Sequence, residues 1–151
     1  MAPGAHDALP FSIGDVFSRE IRFDRDSIRA FAALAGDDNP LHHDEEAAAR
    51  SQFGTLIASG TQTSSLMMAT VASYFARKGP ALGLGFSFKL RRAVKADTVC
   101  LAIWSIDKIA WKESLGGYVI DLSGRLQNIE TGEVALEAYA QTLFTGAKTA
   151  S

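Results

Sequence analysis

The feature that most restricts how this chain can fold is a helix without a polar face. From Ser59-Gly60 to about Lys78, the residues Leu66, Met67, Met68, Val71, Ala72 and Phe75 are padded only by Ala, Ser and Thr. A helix apolar nearly all round is predicted to be buried. Arg77 and Lys78, followed by Gly79 and Pro80, end it, since basic residues suit a helix C-terminus and proline cannot continue one. Everything after Pro80 reads as strands. Leu84, Phe86, Phe88 and Leu90 alternate with Gly85, Ser87 and Lys89, the period of a half-buried strand. Val99 to Ile106 is apolar on both faces, which predicts a central strand. Tyr118 to Gln127 and Val134 to Phe144 alternate again, with the turn N-I-E-T-G-E between them. A buried helix followed by antiparallel strands is most economically satisfied by a sheet wrapped around that helix, an α+β domain.

The first third of the chain supplies the rest. Phe11 to Phe23 reads as a strand or strand pair with a turn at Gly14-Asp15. Asp24 is placed to cap a helix over 25–35, whose Ile28, Phe31, Ala32 and Ala35 form one apolar stripe. Gly36 stands where a left-handed residue would close it. Asp44 is placed to cap a short helix through Arg50, with Glu45 and Glu46 in its first turn, where the helix dipole favours acids. Between these two helices lies a loop, Asp37 to His43, carrying a carboxylate, an amide, a proline and two histidines. Loops anchored on rigid elements are common places for chemistry.

A length of 151 residues suits one compact domain. We expect it over 11–146, with a loose arm over 1–10 and a tail over 147–151. A net charge of −2 gives no electrostatic footprint for nucleic acid or an anionic membrane. No apolar run approaches the ~20 residues that cross a bilayer. The N-terminal M-A-P-G-A-H-D lacks the basic start and apolar stretch of a signal peptide, and the single cysteine, Cys100, excludes an internal disulfide. Together these point to the cytoplasm.

The loop and the residues after it resemble a known family. G-D-D-N-P-L-H (Gly36 to His42), then H-D-E-E-A-A-A-R-S-Q-F-G and I-A-S-G, is similar to the MaoC-like hydratases, or (R)-specific enoyl-CoA hydratases, whose signature is G-D-x-N-P-x-H. The later F-K-L-R-R-A-V-K-A-D-T-V resembles the family's strand-turn-strand segment, so the likeness runs from about Phe11 to Phe144. The resemblance implies the hotdog fold and reversible hydration of a trans-2-enoyl-CoA to the (R)-3-hydroxyacyl-CoA. It implies Asp37 and His42 as the catalytic pair and Asn39 as a brace for the loop or the water. It also implies that the Gly60 backbone N–H, at a helix N-terminus with free donors, faces the thioester oxygen. Ser59 stands where many members have His or Pro, and is expected beside the substrate. Thr61 replaces a bulkier residue, and Ala96 replaces the glycine usual before Asp97. No cofactor is required, because coenzyme A, or an acyl carrier, arrives as part of the substrate. The family also implies a homodimer, which would cover exposed sheet edges.

Each residue has a blander reading as well. Asn39-Pro40 alone is an ordinary turn dipeptide, and it is the spacing of the whole set that favours chemistry. His43 has no role that the resemblance transfers, and reads as an exposed neighbour. The acidic and histidine cluster lacks a helical His-x-x-x-His or a cysteine ligand, so no metal is expected. Lys89, Arg91, Arg92 and Lys95 read as a solvated face, with Arg91 and Arg92 as candidates to meet coenzyme A phosphates. Met67, Met68, Phe75 and Trp104 read as core. Two other functions fit the fold: an acyl-CoA thioesterase, whose acidic residue would sit elsewhere, and an acyl-thioester-binding subunit without turnover.

Overall fold

A computed structural model describes residues 8–146. The chain runs through β1 (Val16–Phe23), α1 (Arg25–Ala35), α2 (Glu45–Arg50), α3 (Gly60–Ala76), β2 (Ala81–Leu90), β3 (Thr98–Lys112), β4 (Gly117–Asn128) and β5 (Val134–Phe144). Short 3-10 turns occupy Pro40–His42 and Glu113–Leu115. The strands form one antiparallel sheet in the order β1-β3-β4-β5-β2. Its inner face lies against α3. Trp104 of β3, fully buried, donates its indole N–H to the Met67 carbonyl at 3.1 Å and ties helix to sheet. Gly124, its cross-strand partner, makes room for that ring: a Cβ there would come within 2.5 Å of the indole. A long helix wrapped by an antiparallel sheet is the hotdog fold.

The core is a single cluster from Phe11 to Phe144, joining Phe23, Ile28, Val71, Phe75, Ile106, Leu122 and Leu136. Only β1 forms in the N-terminal region, so the second strand allowed before Gly14 is absent among the described residues. Phe11 instead packs edge-on against Phe75 and Phe144. Of the arm expected over 1–10, residues 8–10 are described, and there Leu9 packs on the core. The rest of the arm and the tail expected over 147–151 lie outside the described residues.

Three sequence expectations need correction. The helix α3 is not buried all round: Met67, Val71 and Phe75 face the sheet, while Met68, read as core, is 40% exposed on the opposite side with Ala72. In β2 the expected alternation holds at Phe86 and Phe88, which pack half-buried on the core, and fails at Leu84 and Leu90. This is an edge strand, with Leu82 70% and Leu90 59% exposed, and a register shift between Gly83 and Gly85 breaks the alternation around Leu84. Met68, Ala72 and Leu82 share one face, and no element among the described residues covers it. Finally, α3 stops at Ala76, two residues short of Lys78.

Among the described residues, no helix is long and apolar enough to cross a membrane.

Candidate active site

Local sequence sets the Asp37–His43 loop with little freedom. Asp24 caps α1 by accepting the Ser27 N–H at 2.7 Å. At the other end Gly36 takes a left-handed φ of 76°, and the Asp37 N–H turns back to the Ala32 carbonyl at 2.9 Å. This is a Schellman closure, in which the residue after the left-handed glycine satisfies a carbonyl of the last turn. Asn39 then uses its side-chain oxygen to accept the Leu41 N–H at 3.1 Å and starts the 3-10 turn, where Pro40 supplies the fixed φ. The turn rotates His42 into the interior and leaves Asp37 partly exposed beside it.

The result is a carboxylate–imidazole pair. Nε2 of His42 lies 3.6 Å from Oδ2 of Asp37. Its other nitrogen, Nδ1, donates to the Ile57 carbonyl at 2.7 Å. Since a carbonyl only accepts, that bond places a neutral ring's proton on Nδ1 and its lone pair on Nε2, toward Asp37. The Ile57 carbonyl is itself fixed. Ile57 donates its N–H to the Leu41 carbonyl, and the flanking Leu56 and Ala58 bond to Ala96 and Val94. The other carboxylate oxygen of Asp37, Oδ1, accepts the Asn39 N–H at 3.1 Å. Oδ2 is the atom left facing His42.

Arginines on α1 hold this loop from outside. Arg25 reaches Glu45, Asp97 and Thr55, and Arg29 reaches Glu45 and the His43 carbonyl. The hydrogen bond to Glu45 raises the Arg25 guanidinium above its ordinary pKa. The strands' connecting turn carries its left-handed residue at Asp97, φ 65°, so Ala96 needs no unusual backbone in place of the family's glycine.

His42 lines a cavity of about 370 Å³ with Phe53, Ile57, Gly60, Thr63, Leu90 and the Arg91–Arg92 pair among its walls. Gly60 is the first residue of α3. Ser59 caps the helix, its hydroxyl accepting the Gln62 N–H at 3.1 Å and the Thr61 hydroxyl at 2.9 Å. The Gly60 and Thr61 amides have no acceptor among the described residues, as expected for a first turn. The imidazole of His42, the first residue of α3 and the apolar walls thus line one space.

The structure therefore brings His42, Gly60, Arg91 and Arg92 to one cavity, and Asp37 adjoins it only through its contact with His42. Asn39 and Ser59, expected at the substrate, are held by their own turns. Neither lines the cavity, and the side-chain oxygen of each is occupied by a backbone amide. Asn39 braces the loop, one of the two roles expected of it. Arg91 is held by Glu137 at 2.9 Å and Arg92 by Glu133 at 3.6 Å, at a solvent-facing rim.

Sequence reasoning missed two things. His43, read as an exposed neighbour, is half-buried, and its Nε2 donates to the Asp37 backbone carbonyl at 2.5 Å. The apolar walls were also not foreseen, because Phe53, Leu90 and Leu136 come from segments far apart in the chain. Only the N-P dipeptide, which favours a tight turn, could have suggested that His43 folds back. Among the described residues no group of three His, Cys, Asp or Glu side chains is placed to hold a metal ion.

The comparisons with known proteins agree with this geometry. The chain is 27% identical over 111 residues to the mitochondrial 3-hydroxyacyl-[acyl-carrier-protein] dehydratase of Arabidopsis thaliana, covering 74% of this chain and 64% of that protein. It is 35% identical over 65 residues to the 3-hydroxybutyryl-CoA dehydratase of Methylorubrum extorquens, covering 43% of this chain and 40% of the relative. It thus spans less than two thirds of either. In three dimensions it is similar to the R-hydratase PhaJ1 of Pseudomonas aeruginosa, with a TM-score of 0.80, 23% identity, and coverage of 93% and 89% of the two chains. The family model described as MaoC like domain matches residues 12–119, which take in the loop, the helix α3 and most of the cavity walls. This chain belongs to the MaoC-like domain family.

Proposed function

We propose that this protein is an acyl-thioester hydratase/dehydratase that reversibly adds water to a trans-2-enoyl-CoA, giving the (R)-3-hydroxyacyl-CoA. The observation that carries the reading is the facing of two acceptors, Asp37 Oδ2 and His42 Nε2, across 3.6 Å. His42 lines a cavity that Gly60, the first residue of α3, also lines. A water within about 2.8 Å of both acceptors donates one proton to each and turns its oxygen lone pairs outward, toward a bound substrate. The oxygen bonds to Cβ as the Cα–Cβ π bond breaks, and negative charge moves to the thioester oxygen. The Gly60 N–H, with the positive end of the helix behind it, stabilises that charge. The pair takes one proton from the water and returns a proton to Cα, so the protein ends unchanged. Dehydration is the same path reversed. No step calls for a cofactor beyond the coenzyme A carried by the substrate. The (R) outcome rests on family membership and on relatives named as R-hydratases.

Arg91 and Arg92 at the rim suit the phosphates of that carrier. The exposed edge of β2, with Leu82, Leu84 and Leu90, supports pairing with a second copy into a homodimer, since antiparallel pairing of one strand with its copy is two-fold and closes. The buried, unpaired thiol of Cys100 suits a reducing compartment, and we assign the cytoplasm.

The test is hydration of crotonyl-CoA and of longer and branched enoyl-CoAs, followed by loss of enoyl absorbance while free thiol is monitored. Turnover without thiol supports the hydratase. Thiol release would replace it with a thioesterase, and binding without either product would replace it with a non-catalytic acyl-thioester subunit.

A further inference from the structure

We infer that His43 is a positioning residue for Asp37, a third side chain in the acid–base loop; this rests on the reading of Asp37 and His42 as the reacting pair. The polar atoms of Asp37 are each engaged. Its N–H is held by the Ala32 carbonyl at 2.9 Å, and Oδ1 by the Asn39 N–H at 3.1 Å. Oδ2 faces His42 at 3.6 Å. Its carbonyl oxygen is held by Nε2 of His43 at 2.5 Å, and no other side chain among the described residues reaches it.

That contact matters because Asp37 sits past the end of α1, where the chain has left helical support. The Schellman closure fixes the amide side of the residue, but the peptide plane on its other side is free to rotate. Rotation there would swing the Asn39 N–H away from Oδ1 and so turn Oδ2 away from His42. The ring of His43 blocks this by bonding the carbonyl across the turn. It is anchored in its own right: the His43 carbonyl accepts from Arg29, and its N–H bonds the Pro40 carbonyl at 3.1 Å. Adjacent histidines therefore do different work. His42 faces the cavity, and His43 holds the backbone from which the carboxylate is aimed. A ring with its proton on Nε2 donates this bond whether it is neutral or cationic.

The experiment compares kcat and KM for enoyl-CoA hydration in the wild type, His43→Leu, His43→Asn and His43→Gln, with Asp37→Asn alongside. The amide nitrogen of glutamine reaches about as far as Nε2 of histidine, while that of asparagine is too short. Since misalignment of a reacting group by a fraction of an ångström is felt in the rate, we expect His43→Leu and His43→Asn to lower kcat on the order of tenfold with KM little changed, and His43→Gln to recover most of it. If the leucine variant does not fold, asparagine against glutamine carries the same comparison. Wild-type kcat in His43→Asn, or equal losses in the asparagine and glutamine variants, would overturn the inference. The Asp37→Asn control separates the two failures. Inactive Asp37→Asn beside fully active His43 variants removes only the role of His43. Fully active Asp37→Asn removes the role of Asp37, and with it anything that aims it.

Discussion

The cavity has two walls of opposite construction. One is built by the α1–α2 loop and the start of α3, and carries His42 and Gly60, with Asp37 behind it against His42. There each polar atom of Asp37 has a partner or faces the reacting position, both nitrogens of His42 are assigned, and Arg25 and Arg29 clamp the loop from behind. The other wall is the end of β2 and the segment after it, carrying Leu90, Arg91 and Arg92. It lies on a sheet edge, its leucine is more than half exposed, and its arginines are held by single glutamates in solvent. Under the proposed function, the difference separates two tasks. Moving a proton needs groups aimed to a fraction of an ångström, so that wall is over-determined. Gripping a long carrier needs charge and reach, and a screened, adjustable rim suffices.

If that division is right, substitutions on the two walls fail in different ways. The largest effect is expected for His42→Ala and Asp37→Asn, each lowering kcat at least about 100-fold while substrate still binds, read as kcat and KM separately. Gly60→Ala comes next. Its added Cβ would sit 2.7 Å from Cδ1 of Leu90, the movable end of a side chain, so the protein should fold, and alanine is the better helix former. Displacing Leu90 narrows the cavity where the thioester would lie, and kcat/KM should fall on the order of tenfold. Adding Leu90→Ala should restore much of it by returning the space, whereas no recovery would place the loss at the amide itself. On the rim, Arg91→Glu and Arg92→Glu should raise KM several-fold and leave kcat nearly intact, with the effect shrinking as salt is added. A fall in kcat there would break the comparison.

The smallest effect lies away from both walls. Burial pushes the Cys100 thiol up to about 11 from an ordinary 9.0. In the unfolded chain the thiol ionises near its ordinary value, while in the folded protein it stays protonated until about 11. Between those pH values the unfolded state binds fewer protons, so stability should decline as pH rises through that window. Denaturant midpoints measured across it should fall for the wild type and less for Cys100→Ala.

How much of this could be read in the sequence differs between the walls for a physical reason. The over-determined wall is local. Asp24, Gly36, Asn39, Pro40, Asp44 and Ser59 each make a cap or turn with residues two to five positions away, so their types announce the structure. The loop, both flanking helices and the position of Gly60 could be read for that reason. The same locality shows at Ser59 and Asn39, whose side-chain oxygens cap the backbone. Distant contacts were not legible. Alternation in β2 predicted a half-buried strand and failed at Leu84 and Leu90, because periodicity reports which face is apolar and not whether anything covers it. Met68 failed in the same way. His43 was passed over because its contact with Asp37 exists only once the 3-10 turn has formed.

The central claim is that Asp37 and His42 act as one unit on one water. The most direct test is kcat for enoyl-CoA hydration in Asp37→Asn, His42→Ala and the double variant. Groups that share a single step are not additive. The double variant should therefore be no slower than the slower single variant, within about twofold. Losses that multiply would mean that the two residues act independently, and wild-type turnover in either single variant would remove that residue from the chemistry.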